Sequence, residues 1–184
     1  MKRFAITTVF ALAVLGIGRT EDKGTVTEID GLKSTAPENW KAVKPGSSMQ
    51  VLSFIIPKVN GDKYDGQLTV YYFGKGSGGD AKANISRWKG MIKPAEGVKD
   101  EDAYKTTEMK AGDVKITVFE GNGAYKHKNR PFDPNEAGEM RANYRLVGVV
   151  FDSPNGPYFI RMVGPAKTLE ANRKGFENWL KSFK

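Results

Sequence analysis

The chain has 184 residues, with 29 lysines and arginines against 21 aspartates and glutamates, a formal charge of +8 and a mean hydropathy of −0.48. It contains no cysteine and a single histidine, His127. Disulfides, a thiol nucleophile, a thiolate-bound metal and a lipid on cysteine are therefore excluded, while the positive charge favours anionic partners.

Lys2 and Arg3 precede an apolar stretch over residues 4–18, broken only by Thr7 and Thr8 and ending in the small residues Gly16 and Gly18. Arg19, Thr20, Glu21 and Asp22 follow. This order predicts a secretory signal peptide over residues 1–18 and a short polar linker over 19–24. As a helix the apolar stretch reaches only about 22 Å against a bilayer core of roughly 30 Å, so no stable membrane span is expected after signal cleavage. The 166 residues that remain carry +6. They are enough for one core, and a single α/β domain is expected over 25–184, exported to a periplasm or beyond the cell.

In chain order, residues 25–29 and 32–35 read as strands around an Asp30-Gly31 turn. Residues 49–56 form an apolar run rich in branched side chains, consistent with a strand covered on both faces. Leu68, Val70 and Tyr72 alternate with Thr69, Tyr71 and Phe73 as a further strand. Asp80 is a candidate N-cap for a helix whose stripe is Ala81, Ile85, Trp88 and Met91, ended by Pro94. The acidic run Asp100, Glu101 and Asp102 reads as a solvated loop. Val114, Ile116 and Val118 alternate with polar neighbours, and residues 144–151 and 158–163 flank an Asn155-Gly156 hairpin signal. Leu169, Phe176, Leu180 and Phe183 share one face of a C-terminal helix. The pattern predicts an α+β fold, a mostly antiparallel sheet with amphipathic helices packed on it.

Residues 126–143 read as a long loop holding Pro131, Pro134 and Gly138, and loops of that length are uncommon unless functional or disordered. The candidate binding residues are its basic first half, Lys126, His127, Lys128 and Arg130, together with the apolar anchor Phe132. Lys75, in the Gly-rich loop 74–79, is a further candidate because free backbone N–H groups there could receive an anion. That loop lacks the Gly-Lys-Ser/Thr ending of a Walker loop, and Asp80 would compete with an anion. Asp62 and Asp65 miss the spacing of a calcium loop, since Tyr64 and Asp65 stand where a ligand and the glycine belong. Nothing identifies a carboxylate orienting His127, so no catalytic set, metal or cofactor is expected. Aromatics are not interleaved with the cations as a single-strand nucleic-acid surface requires, so no nucleic-acid partner is expected.

The segments Ala36-Pro37-Glu38-Asn39-Trp40, Gly156-Pro157-Tyr158-Phe159 and Phe176-Glu177-Asn178-Trp179-Leu180-Lys181-Ser182-Phe183, in this order of elements, resemble the PsbP/Mog1/DcrB-like α/β sandwich superfamily. The chain also resembles exported bacterial proteins of similar size. The resemblance covers residues 25–183 and implies a sheet-and-helix sandwich. Its members include photosystem assembly factors, envelope lipoproteins and a small-GTPase partner, mostly not enzymes, which implies a binding or assembly-assisting module for a protein or an anionic surface of the envelope. Two other readings stay open. One is an exported hydrolase using dispersed carboxylates and His127, the other a small-ligand carrier with a pocket lined by Trp40, Trp88 or Tyr72.

Overall fold

The computed structural model describes residues 24–129, 133 and 135–184. The signal segment over 1–18 and all of the linker but Gly24 lie outside the described residues. β1 (Val26–Ile29) and β2 (Leu32–Thr35) form a separate antiparallel ribbon. Asp30 and Gly31 turn it with φ of 52° and 80°, the two positive values that a tight type I′ turn needs.

The main sheet runs β3 (Lys41–Ala42), β4 (Gln50–Ile56), β5 (Gly66–Tyr72), β10 (Gly156–Pro165), β9 (Glu139–Ser153), β8 (Val114–His127) and β6 (Ile92–Lys93). β7 (Tyr104–Ala111) is added beside the first half of β8, and every pairing is antiparallel. The stretch 126–143 is not one loop. Lys126 and His127 end β8, paired with Met140 and Glu139 of β9, so only residues 128–138 connect the strands. The backbone ladder holds this polar extension without apolar alternation, which is why the side-chain pattern hid it. β7 escaped the sequence pattern for the same reason, since half of its residues are exposed and only Ala111 is buried. The acidic run before it is a short helix, α2 (Asp100–Ala103). In the last hairpin Pro154 and Asn155 make the turn, and Gly156 opens β10 at φ 119°.

α1 (Ala81–Lys89) starts where the sequence places it. Asp80 Oδ1 accepts the Ala83 N–H at 2.7 Å, and the helix stops at Gly90, four residues before Pro94. α3 (Ala166–Lys181) follows Pro165 directly. Its first turn is capped from another part of the chain, because Asp62 Oδ2 accepts the N–H and the hydroxyl of Thr168 at 3.0 and 2.6 Å. Asp62 thus serves a helix end, and Asp65 accepts the Lys58 N–H at 2.9 Å.

The sheet carries a core on each face. Against α3 lie Phe54, Leu68, Ile116, Val149, Phe151 and Ile160, with Trp40, Phe176 and Trp179 above them. The β1–β2 ribbon closes over this side, as Trp179 donates its indole N–H to Thr27 Oγ1 and Ser34 donates to the Trp179 carbonyl. On the other face α1 drops Trp88 onto Phe119, Leu146, Val150 and Phe159. A Cβ on Gly148 would sit 2.2 Å from the Trp88 ring, so this glycine gives the indole its seat. Trp40 and Trp88 therefore lie in different cores, and Tyr72 stacks on Tyr158 with the first, so these three aromatics do not line one pocket.

Candidate functional site

The structure separates the residues that the sequence singled out. Lys126 and His127 stand at the far end of the β8–β9 hairpin, whereas Lys75 lies beside Gly156 at the β9–β10 turn. The 15 residues of β9 lie between these ends, roughly 45 Å at strand rise. At the hairpin tip, Lys128 Nζ donates to the Asp133 carbonyl at 3.0 Å, the Asn129 N–H donates to Glu136, and His127 faces Glu139 across the ladder. The cations there share their surface with three carboxylates. Arg130 and Phe132 lie outside the described residues.

The Gly-rich loop is organised around its own helix. Gly74, Gly76, Gly78 and Gly79 all have φ between 76° and 95°, which glycine adopts without a Cβ clash. Asn84 donates to the carbonyls of Gly78 and Asp80, each at 2.9 Å. With the Ala83 N–H taken by Asp80, a carboxylate already occupies the helix start.

A different surface gathers cations without counter-charges. β3, β4, β5 and β10 are adjacent in the sheet, and neither they nor α1 contain a single aspartate or glutamate. They contribute Lys41, Lys82, Arg87, Lys89 and Arg161, none of which forms an ion pair among the described residues. The ion pairs cluster instead across the sheet on α3, where Arg173 binds Glu120, Glu170 and Glu177, and Arg145 binds Glu170. Asp62, Asp65 and Asp80, in the segments that flank these elements, are engaged with backbone N–H groups, and Asp152 stands across the ladder from Pro157 at the far end of β10.

On the α1 face this half of the sheet is only partly covered. α1 packs mainly over β9, β8 and β6, leaving β3–β5 without a helix. Across the ladder Ser53, Thr69 and Arg161 lie side by side, one register step from Tyr71. Arg161 donates to the Tyr71 hydroxyl at 2.9 Å and reaches Met91 Sδ at 3.8 Å, so its guanidinium is held flat at the helix flank. Tyr71 stacks on Phe73 with ring centroids 6.1 Å apart, and Phe73 leans on Phe159. Val43, Val51 and Phe73 are each about 40% exposed. Lys89 lies over the Tyr104 ring, on the β7 side of α1. Two residues turn a helix by about 200°, so Arg87 lies on the other flank of α1, where it donates to Asn84 Oδ1 at 2.8 Å.

The combination is a shallow apolar and aromatic surface with arginine and tyrosine at its centre and Lys41 at its β3 edge. Sequence reading by motif missed it because Lys41, Arg87 and Arg161 are far apart in the chain. A signal was present: residues 41–61, 66–79, 81–95 and 153–169 hold no acid. Farther along this face, the Arg141 guanidinium lies 3.7 Å from the Tyr64 ring centroid and holds the Glu139 carboxyl below its ordinary value through a hydrogen bond. Among the described residues no three of His, Asp and Glu converge as metal ligands. No helix there is long and apolar enough to cross a membrane, a statement that leaves β-barrels aside.

No protein-family model matches the chain, and no curated protein matches it. Among solved structures it is similar to a Pseudomonas aeruginosa protein of unknown function, with a TM-score of 0.46 and 10% identity over 86% of this chain and 94% of that one. It is also similar to the Ran-binding protein Mog1p of Saccharomyces cerevisiae, with a TM-score of 0.46 and 9% identity over 87% and 94%. Neither match assigns a ligand or a partner to this chain.

Proposed function

We propose that this chain is an exported, non-enzymatic binding module of the cell envelope that docks an acidic protein through the half of its sheet, β3–β5 and β10, that lies beside α1 on the same face. The observation that carries the reading is the absence of carboxylates from β3, β4, β5, β10 and α1, with Lys41, Lys82, Arg87 and Arg161 forming no ion pair among the described residues. Exposed apolar and aromatic side chains beside arginine are the composition of a protein interface core, whereas a purely electrostatic surface would be lysine-rich and flat. Cations around such a patch raise the on-rate for an acidic partner and exclude basic ones. Export rests on the order of residues 1–22.

The test pairs two charge changes. Purified protein, Arg87→Glu/Arg161→Glu and Lys126→Ala/Lys128→Ala are each incubated with solubilised envelope extract and, separately, with anionic lipid vesicles. The expected result is one stoichiometric acidic partner that survives moderate salt, kept by the hairpin variant. The α1-face variant binds that partner at least about tenfold more weakly, roughly 1.4 kcal/mol. A partner lost by the hairpin variant and kept by the α1-face variant overturns the assignment. Binding to vesicles with no protein retained replaces the protein partner by a membrane surface.

A further inference from the structure

Across the sheet from the docking surface, α3 leaves an opening along β7 and β8 that encloses about 160 Å³. Its depth is apolar, formed by Val118, Val147 and Met162 of the sheet and by Leu169, Phe176 and Leu180 of the helix, all buried. A cavity of about 150 Å³ with such a lining holds one benzene-sized group. Its mouth is charged, with Lys105, Glu120, Arg145 and Arg173 around it.

The charges at the mouth are not balanced. Glu120 is clasped by both terminal nitrogens of Arg173, at 2.5 and 3.4 Å. Glu170 is taken by Arg145 and Arg173, and Glu177 by Arg173 and Lys181. Arg145 is fixed further by the Asn122 amide oxygen at 2.9 Å. Lys105 stands directly across the ladder from Glu120, which Arg173 clasps, and forms no ion pair among the described residues. Of the residues lining the opening, three cations, Lys105, Arg145 and Arg173, thus meet two carboxylates, Glu120 and Glu177, and Lys105 is the cation among them without an ion pair among the described residues.

We propose that this cleft binds a small apolar carboxylate, with its ring or branched chain against Val147, Met162 and Phe176 and its carboxylate at Lys105 and Arg145. An amine head group would meet no carboxylate that lacks a cation, and a neutral head group would leave Lys105 unused. The same chemistry is offered by a free organic acid and by the last residue of a peptide. The site is independent of the docking surface, which lies on the other side of the sheet.

Trp40 and Trp179 flank Phe176, with centroids 6.4 and 6.1 Å away, so their fluorescence reports occupancy. Phenylacetate, phenylethanol, phenethylamine and a short acetylated peptide ending in phenylalanine are titrated into the purified protein. Phenylacetate is expected to bind saturably with a Kd on the order of 1 mM or tighter, as ten heavy atoms at ordinary ligand efficiency allow. Phenethylamine is expected to bind at least about tenfold more weakly. Lys105→Glu, at an exposed position that leaves folding intact, should weaken phenylacetate about tenfold and leave phenylethanol unchanged. Val118→Phe fills the cavity and should abolish binding of all four. Tighter binding of the peptide identifies a chain terminus as the source, and weaker binding a free acid. No saturable change with any probe, or equal affinity for the acid and the amine, overturns the proposal.

Discussion

Replacing Asn172 by alanine removes an acceptor shared by two donors, since Asn172 Oδ1 receives the Trp40 indole N–H and the Asn39 amide, each at 3.0 Å. Trp40 is 3% exposed and Asn172 7%, so the orphaned indole N–H has no route to water. Leaving a buried donor unmade costs about 1–3 kcal/mol. Asn39 is exposed and exchanges its lost bond for water at little cost. The bond from Asn172 Nδ2 to the Thr168 carbonyl, 2.9 Å, is also lost, but that carbonyl keeps its helical N–H partner. Alanine returns about 0.5 kcal/mol of helix propensity. The balance predicts a loss of about 0.5–2.5 kcal/mol, which for a domain of this size lowers Tm by about 1–8 °C. Urea unfolding followed by circular dichroism reads the change, and a second variant isolates its cause. Trp40→Phe keeps an aromatic ring at this position without the donor, so in that background Asn172→Ala should cost less than about 1 kcal/mol. Strict additivity of the two substitutions would refute the hydrogen-bond account and assign the loss to packing.

Gly148→Ala places a methyl 2.2 Å from the Trp88 ring, and because the indole is packed on Phe119 it cannot withdraw. A loss of about 3 kcal/mol is expected in the urea midpoint, relieved when Trp88 is shortened to leucine. A tolerated Gly148→Ala would show that α1 is loosely seated. Asp30 accepts from the Asn155 side chain at 2.8 Å and from its backbone N–H at 3.2 Å, and the side-chain bond holds its carboxyl below the ordinary value. A depressed folded-state value stabilises the protein above the unfolded value, near pH 4, and is lost as pH falls through the folded one. Asp30→Asn should therefore be less stable than the parent at pH 7, with the gap closing below about pH 4. An equal gap at both pH values would assign the effect to turn geometry.

The strands with alternating apolar residues, both long helices, the Asp30-Gly31 turn and the Asp80 cap were legible in the sequence, because each is fixed by local chemistry. Asp30 and Gly31 accept positive φ, Asp80 caps Ala83, and Leu169, Phe176 and Leu180 recur at helical spacing. The polar tail of β8, the whole of β7 and the placement of Asp62 on α3 were not legible. A backbone ladder and a cap delivered from more than a hundred residues away leave no period in the side chains. The charge pattern stood between these cases. Acid-free stretches can be read from the chain, but only the strand order β3-β4-β5-β10, with α1 laid beside it, turns them into one surface. Likewise, nothing local marks Lys105, Arg145 and Arg173 as neighbours. They meet because β7 pairs with β8 and α3 crosses above, and the Glu120–Arg173 clasp then decides which cation is left over. Composition set how much charge the protein carries. Pairing across the sheet set where that charge is spent and where it remains available.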